Sequence, residues 1–164
     1  MDRVVIRRLG GADWRTWREL RLAALADAPG VFHGDPEEER AYDEARWRTW
    51  AEEGVKVAAF AADLPVGVVA GRVPADRAGA VELSGMWVRP EVRGGRIAER
   101  LALEVVAWAR ETGRPRVELW VISGNGPAER LYRRLGFRDT GEYELHPHDP
   151  GLRKYVMAKA TGAG

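Results

Sequence analysis

Two kinds of hydrophobic pattern, one typical of strands and one typical of helices, alternate along this chain without an intervening linker. This alternation constrains the fold more than any other feature of the sequence. Short runs of strand-forming apolar residues are interleaved with segments in which apolar residues recur every three or four positions, as on one face of a helix. In chain order the pattern predicts β-α-α-β-β-β-α-β-α-β-β. No segment repeats another, so we predict a mixed α/β (α+β) layer fold. We predict one domain over residues 1–160 and a frayed tail over 161–164.

Capping and turn residues set the predicted boundaries. The predicted strands cover 4–8, 55–61, 66–73, 80–88, 117–122, 137–145 and 152–158, and the four predicted helices begin near residues 13, 35, 96 and 128. Asp13 is the expected cap of the first helix. Asp35, followed by a proline and two glutamates, is typical of the start of the second helix. We expect that helix to run through Tyr42 and Trp50 and to end near Gly54.

Composition and charge exclude several classes of function. The 164 residues include no cysteine, which excludes disulfides, thiolate nucleophiles and cysteine-based zinc sites. Basic and acidic residues number 26 and 25, so no broad field attracts nucleic acid or a membrane surface. No apolar run approaches the roughly 18 residues of a membrane span, and the first residues do not resemble a signal peptide. We therefore expect a cytoplasmic protein that binds any anion through a local arrangement.

A glycine-containing loop, Arg93 to Ala98, lies between a predicted strand and the best-defined predicted helix. Backbone N–H groups at a helix N-terminus lack partners within the helix, and the helix dipole favours negative charge there. A diphosphate is therefore a natural ligand, although the same glycines could simply form a tight turn. A dinucleotide-binding fold would need G-x-G-x-x-G and a P-loop would need G-x-x-x-x-G-K-[ST]; the chain has neither.

Three segments of the chain carry recognisable family motifs. They are L-S-G-M-W-V-R-P-E-V-R-G-G-R-I-A (83–98), L-W-V-I-S-G-N (119–125) and N-G-P-A-E-R-L-Y-R-R-L-G-F (125–137). Together they resemble the GNAT superfamily of acetyl-CoA-dependent N-acetyltransferases: its fourth strand, its [QR]-x-x-G-x-[GA] pyrophosphate loop and its N-x-x-A-x-x-L-Y-x-x-x-G-F segment, of which the last is the most specific. The resemblance implies a GNAT-like fold, with a central, mostly antiparallel mixed sheet of about seven strands flanked by four helices.

The resemblance also implies where the cosubstrate acetyl-CoA binds and gives a role to each matching residue. Backbone groups of the fourth strand would pair with the pantetheine arm, and loop amides would bind the pyrophosphate. Asn125 would contact the cofactor or hold two strands apart, and Tyr132 would protonate the departing CoA sulfur. The cofactor-binding residues implied in this way are Met86, Trp87, Val88, Arg93, Gly94, Gly95, Arg96, Ile97, Ala98 and Asn125.

One loop position departs from the family motif. Arg96 stands where the motif has its central glycine, and Gly95 lies one place early. A side chain there could crowd the pyrophosphate, point away from it, or donate a charge-assisted hydrogen bond to a phosphate oxygen. The main alternative to an enzyme is therefore a GNAT-fold acyl-CoA-binding or regulatory module without turnover. A nucleotide-binding domain of another type is a third reading.

Acetyl transfer to an amine needs a base, because a lysine-like ammonium has an unperturbed pKa of about 10.4. Without a cysteine for an acyl-enzyme, we expect direct attack in a ternary complex. Glu82 is the first candidate base, since some members that acetylate protein lysines carry their glutamate at the same offset before the loop. Glu118 is the second candidate, and a water chain through Ser84 would make either unnecessary. Strand alternation would place Glu82, Ser84 and Met86 on one face unless a bulge intervenes.

For the binding site of the acceptor amine, the sequence offers only residues that could line a pocket. Aromatic residues of the first two predicted helices and three histidines could line a pocket for a small-molecule or peptide amine; they are Trp14, Trp17, Trp47, Trp50, Phe32, His33, His146 and His148. Core packing, or a solvated loop, is the ordinary role of each. His146, His148 and Asp149 fall short of a designed metal site, so we predict no metal. Homodimerisation is an expectation from the family, and neither nucleic acid nor membrane is an expected partner.

Overall fold

A computed structural model describes residues 3–146 and 149–163. Its strands are β1 (Val4–Leu9), β2 (Val55–Ala61), β3 (Leu64–Arg72), β4 (Ala80–Val88), β5 (Arg116–Ile122), β6 (Arg138–His146) and β7 (Asp149–Ala160), and its helices are α1 (Trp14–Asp27), α2 (Pro36–Arg40), α3 (Glu44–Glu52), α4 (Ile97–Glu111) and α5 (Gly126–Arg134). The sheet has seven strands in the order β1-β2-β3-β4-β5-β7-β6. Strands β4 and β5 are parallel, whereas β1/β2, β2/β3, β5/β7 and β6/β7 are antiparallel pairs. The predicted mixed, mostly antiparallel sheet is confirmed.

The number of helices was predicted wrongly: five α-helices are present among the described residues, and four were expected. The segment predicted as one helix from Asp35 to about Gly54 contains two. Asp35 caps α2 by accepting the Glu37 N–H at 3.0 Å. Asp43 then accepts the Arg46 N–H at 2.8 Å and caps α3. A second cap in mid-segment satisfies the backbone groups of a new helix start, so the chain begins a second helix there.

The chain divides into two compact units, and the first comprises residues up to Arg72 together with Gly85–Val105. It contains β1, β2 and β3 as an antiparallel meander, α1 to α3, the end of β4 and most of α4. Its core is built from apolar faces of α1 and α3 against the sheet, where Leu20 and Trp47 are both fully buried. Asp13 precedes α1, as expected, but its carboxylate accepts the Gly10 N–H at 2.8 Å and does not bond to the helix amides.

The second unit comprises Val73–Ser84 and the chain from Val106 onward. Strand β5 pairs along its whole length with β7, from Arg116↔Ala160 to Ile122↔Lys154. The predicted tail is anchored at its first residue, since Thr161 is buried and donates from Oγ1 to the Arg114 carbonyl at 2.6 Å. No helix within the described ranges is both long and apolar enough to cross a bilayer.

Lys56 is an unusual occupant of the first unit, because its side chain lies inside the sheet on β2 and is only 3% exposed. Its ammonium donates to the Glu53 carbonyl and lies 5.4 Å from the centroid of the Trp17 ring. Burial lowers the pKa of Lys56 to about 8, and the Glu53 carboxylate only partly opposes that shift. The protonated side chain therefore destabilises the folded state at neutral pH.

Replacing this cation should raise stability. Because the folded-state pKa lies below the unfolded value, the unfolded chain binds more protons between about pH 8 and 10.5, and wild-type stability should rise across that window. We expect Lys56→Met to raise the free energy of unfolding at pH 7 by about 1–3 kcal/mol and to abolish this rise. Urea denaturation from pH 7 to 10 measures both, with Lys159→Met, at a more exposed lysine, as the control. An unchanged pH slope in Lys56→Met would contradict the assignment.

Candidate active site

The glycine loop has the backbone conformation of a tight ligand-facing turn. It follows a 3-10 turn at Pro90–Val92 and leads directly into α4. Gly94 has φ +91° and Arg96 has φ +64°, both in the left-handed region that favours glycine. Nothing lies within 4 Å of the position that a Cβ on Gly94 would take, so the backbone there is open to a ligand. The family motif has glycine at position 96, where this chain holds an arginine in a glycine-like conformation.

Asp27, the last residue of α1, ties the loop to its surroundings within the first unit. Its Oδ2 accepts hydrogen bonds from the Trp87 indole N–H and from Arg93 Nη2, each at 2.9 Å. Arg93 also donates from Nε to the Val88 carbonyl at 2.9 Å. The hydrogen bond from Trp87, supported by Arg93, lowers the pKa of Asp27. We call these bonds the Asp27 clasp; through them the Arg93 side chain positions the loop.

Strand β4 is irregular where the resemblance expects the pantetheine arm. Gly85 has φ +65°, so strict strand alternation stops at Ser84 and does not carry through to Met86. Beyond the irregularity, Trp87 and Val88 are both buried, with 5% and 8% of their surfaces exposed. The first unit thus brings Trp87, Val88 and the first loop residue, Arg93, together through the Asp27 clasp.

The two candidate bases lie in the second unit, on paired strands. Glu82 of β4 is half-buried and in register with Glu118 of β5, at the last position of the parallel pairing. Glu118 is 6% exposed; its Oε2 accepts from Arg77 Nη1 at 2.8 Å, and its Oε1 lies 2.5 Å from Arg116 Nη2. Hydrogen bonds from Arg77 to Glu142 and to Glu118 raise the pKa of Arg77. Both Glu118 oxygens are therefore engaged by guanidinium groups.

Tyr132 and Asn125 belong to helix α5 and its cap in the second unit. Asn125 Oδ1 accepts the Ala128 N–H at 3.4 Å and thereby caps α5. Tyr132 is 7% exposed and packs edge to face on Phe137, with 5.7 Å between ring centroids. Burial raises the pKa of Tyr132 to about 12. Its hydroxyl is protonated at neutral pH, as that of an unperturbed tyrosine would be.

The aromatic residues proposed for the acceptor side mostly pack against one another. Trp47 stacks on Trp50 at 5.4 Å, and Trp17 meets Trp50 edge to face at 5.1 Å. The indole N–H groups of Trp14, Trp17 and Trp47 are buried without a hydrogen-bond acceptor. His33 is exposed in the segment between α1 and α2. His148 lies outside the described residues, as does the side chain of His146, and no metal-binding group of three or more His, Asp or Glu occurs among the described residues.

A cavity of about 420 Å³ in the second unit contains none of the predicted site residues. Its lining includes Glu129 and Tyr155, which are joined to each other by a 2.6 Å hydrogen bond from the tyrosine hydroxyl. Glu129 also accepts the Gly124 N–H at 2.9 Å, so its carboxylate is engaged in structural bonds. The cavity is therefore separate from the chemistry that the motifs suggest.

Comparison with known proteins identifies the family. The family model described as the acetyltransferase (GNAT) family matches residues 14–137. The chain belongs to the GNAT family. An uncharacterized N-acetyltransferase of Schizosaccharomyces pombe is 32% identical over 69 residues, which cover 42% of this chain and 42% of that protein. The matched segment thus spans less than half of this curated relative.

Two solved structures resemble the chain over nearly its whole length. A putative acetyltransferase from Salmonella typhimurium, solved with its cofactor acetyl-CoA, has a TM-score of 0.77 at 19% identity and covers 99% of this chain and 96% of its own. An N-acetyltransferase from Thermoplasma acidophilum in complex with coenzyme A has a TM-score of 0.68 at 19% identity, with 96% and 99% covered. At such identities the likeness establishes the fold of this GNAT protein.

Sequence reasoning missed the residues that act at a distance from the motifs. Asp27 and Arg77 carried no motif, and their partners lie 60 residues or more and 41 residues or more away in sequence. A useful signal for Asp27 was its place at the end of α1, where a carboxylate opposes the negative end of the helix dipole and therefore needs partners elsewhere.

Arg96 should lower the stability of the protein in the absence of ligand. A non-glycine residue in the left-handed region costs about 1–2 kcal/mol, and part of this is offset because glycine makes the unfolded chain more flexible. We expect Arg96→Gly to raise the free energy of unfolding by about 0.5–1 kcal/mol, measured by denaturation without ligand. The same substitution at Arg110, inside α4, should instead lower it by about 0.5–1 kcal/mol. A destabilised Arg96→Gly protein would show that the Arg96 side chain supports the loop.

Proposed function

We propose that this GNAT protein transfers an acetyl group from acetyl-CoA to a primary amine by direct attack within a ternary complex. The observation that carries the proposal is the loop at the N-terminus of α4, whose left-handed residues expose backbone amides and whose entry is held by the Asp27 clasp. A 15-residue helix begins at Ile97, directly after the loop, and its dipole favours a diphosphate there. Family membership supports the same cosubstrate.

Arg96 would contribute a charge to this cosubstrate site. Its side chain is exposed, and among the described residues it takes part in no salt bridge or side-chain hydrogen bond. A guanidinium at the head of a helix is electrostatically unfavourable unless an anion meets it. Strain and an unpaired charge at one residue are typical of a functional loop. We therefore assign Arg96 a hydrogen bond to a phosphate oxygen of acetyl-CoA.

Proton transfer in the reaction would use Glu82 and Tyr132. Glu82 is the first candidate base because of its offset before the loop, and Glu118, which is engaged by Arg77 and Arg116, is the second. Glu82 would take the proton of the ammonium, directly or through water. Tyr132, with its pKa raised to about 12 by burial, would supply the proton to the CoA thiolate. Met86, Trp87 and Val88 would hold the pantetheine arm through backbone groups, and Asn125 would contact the cofactor or keep two strands apart.

A GNAT-fold acyl-CoA-binding module without turnover is the second candidate function. The arginine at the loop's central position is the observation that favours it, because a motif glycine is missing there. Binding and turnover are therefore tested separately.

Acetyl-CoA should stabilise the folded protein. A ligand that binds only the folded state, present at 100 times its dissociation constant, adds about 2.7 kcal/mol to the free energy of unfolding. We expect a rise in Tm of several degrees with millimolar acetyl-CoA or CoA, measured by thermal denaturation, and none with acetate at the same concentration. If neither acetyl-CoA nor free CoA raises the Tm, the cosubstrate assignment is wrong.

The same titration at several salt concentrations tests Arg96. If its guanidinium meets a phosphate, Arg96→Gly should weaken CoA binding about threefold to tenfold at low salt, even though the free variant is more stable. The wild-type affinity should also fall more steeply with salt than that of the variant. Tighter binding by Arg96→Gly would show that the side chain obstructs the loop.

Turnover should depend on Tyr132 and Glu82. We expect Tyr132→Phe, which keeps the packing on Phe137, to lower kcat by about 10²–10⁴-fold with little change in the KM for acetyl-CoA. Glu82→Gln should slow the reaction at neutral pH and regain rate at higher pH, where more of the amine is already neutral. Thiol release across a panel of amines measures both. Tyr155→Phe, at another tyrosine whose pKa is raised to about 12, is the control and should keep near wild-type kcat.

Full activity in both Tyr132→Phe and Glu82→Gln would remove these two roles. CoA binding without thiol release in the wild type, across the whole panel, would instead favour the module without turnover.

A further inference from the structure

Arg21 is a buried guanidinium in the first unit whose hydrogen bonds are only partly used. It lies on α1, with 9% of its surface exposed. Nε donates to Glu39 Oε1 at 2.9 Å, and Nη2 donates to Glu39 Oε2 at 3.2 Å and to the His33 carbonyl at 2.5 Å. The guanidinium also lies over the Trp50 ring, 5.3 Å from its centroid. The Glu39 carboxylate, the His33 carbonyl and the Trp50 ring together hold the plane of the guanidinium in one orientation.

The remaining nitrogen, Nη1, faces the irregular position of β4. Among the described residues Nη1 makes no hydrogen bond, although an arginine carries two N–H groups there. It is 4.0 Å from the position that a Cβ on Gly85 would take, and no other heavy atom outside the chain neighbours of Gly85 lies that close. The missing side chain of Gly85 therefore leaves a space beside the strand, with a fixed cation at its edge.

We propose that Arg21 selects acceptors in which the primary amine stands beside a carboxylate, as in a small amino acid. The inference rests on the proposed function, which puts the thioester along the next residues of β4, Met86 to Val88. Nη1 makes no hydrogen bond among the described residues and is not fully buried, so an oxygen ligand in the space at Gly85 can reach it. A carboxylate meets a guanidinium with charge-assisted hydrogen bonds, which are stronger than those of a neutral carbonyl.

The Arg21–Glu39 pair holds the guanidinium in one orientation, so a ligand can bind the cation only through Nη1. Glu39 is itself 4% exposed, and both of its oxygens are engaged by Arg21. The carboxylate thus orients the guanidinium and leaves Nη1 as its one unsatisfied end. A substrate carboxylate bound there would hold the neighbouring amine close to β4, which raises the effective concentration of the nucleophile.

The experiment compares amines that differ only in the carboxylate. Alanine, leucine and phenylalanine are each paired with their carboxamides, and kcat/KM is measured with saturating acetyl-CoA. The enzyme forms are the wild type, the double variant Arg21→Gln/Glu39→Gln, which keeps a hydrogen-bonded neutral pair, and Arg18→Gln. Arg18 is the control because it lies one turn earlier on α1, over the Trp47 ring at 5.9 Å. For each pair, the ratio of kcat/KM for the amino acid to that for its carboxamide is compared between variant and wild type. The different basicity of the two amines cancels in this comparison.

We expect the carboxylate-to-carboxamide ratio to fall at least tenfold in the double variant, through the KM of the amino acids, with the KM for acetyl-CoA unchanged. Arg18→Gln should keep the wild-type ratio. Amino acids should also add to the Tm rise given by CoA in the wild type but not in the double variant. A wild-type enzyme that acetylates the carboxamides and not the amino acids, or an unchanged ratio in the double variant, would overturn the inference. Absence of any Tm rise with CoA alone would instead count against the proposed function, and the inference would fall with it.

Gly85→Ala is a second variant, in which Arg21 itself is unchanged. Because Gly85 has φ +65°, alanine also strains β4 there, and this strain should affect amino acids and carboxamides alike. The new methyl group enters the space beside Nη1, so it should raise the KM for amino acids more than that for their carboxamides. Equal effects on both would mean that the space at Gly85 does not hold the carboxylate.

Discussion

The carboxylate of Asp27 is the interaction on which the proposed cosubstrate site depends. One oxygen joins the end of α1 to the Trp87 indole on β4 and to the Arg93 guanidinium at the start of the loop. Without this carboxylate, the Trp87 indole N–H and the Arg93 guanidinium would have to hydrogen-bond to water instead. The loop backbone beside them must keep one conformation. In the proposed site the loop amides would meet a diphosphate, and the Asp27 carboxylate, which lies outside the motif, holds the side chain of the first loop residue.

The predictions from sequence succeeded where local chemistry decides the structure. Strand-forming runs such as 55–61 and 117–122 can be recognised because each is apolar except for one charged residue, and the cap at Asn125 follows from its place before a helix. The division of α2 from α3 could not be predicted, because Asp43 resembles any acidic residue of an exposed helix until its side chain is seen to accept the Arg46 N–H. The same holds for Arg21 and Glu39, whose pairing is set by how the helices pack.

The candidate site was proposed from motif resemblance, which points to Glu82, Tyr132 and the loop but says nothing of their surroundings. Only the structure shows that two guanidinium groups engage Glu118. One of them, that of Arg77, reaches both Glu118 and Glu142 across gaps of 41 and 65 residues. Likewise, the motif marks position 96 as exceptional, and the left-handed backbone shows why a glycine is expected there. In both cases a long-range or conformational constraint that the motif does not contain determines the surroundings of the residue.

The aromatic residues are divided unequally between the two compact units, which has a spectroscopic consequence. Five tryptophans, Trp14, Trp17, Trp47, Trp50 and Trp87, belong to the first unit, and the other two, Trp108 and Trp120, belong to the second. Trp17, Trp47 and Trp50 of the first unit pack against one another, stacked or edge to face. Indoles in such close contact give strong near-ultraviolet dichroism. The near-ultraviolet dichroism of the protein should therefore report mainly on the packing of the first unit, without any added label.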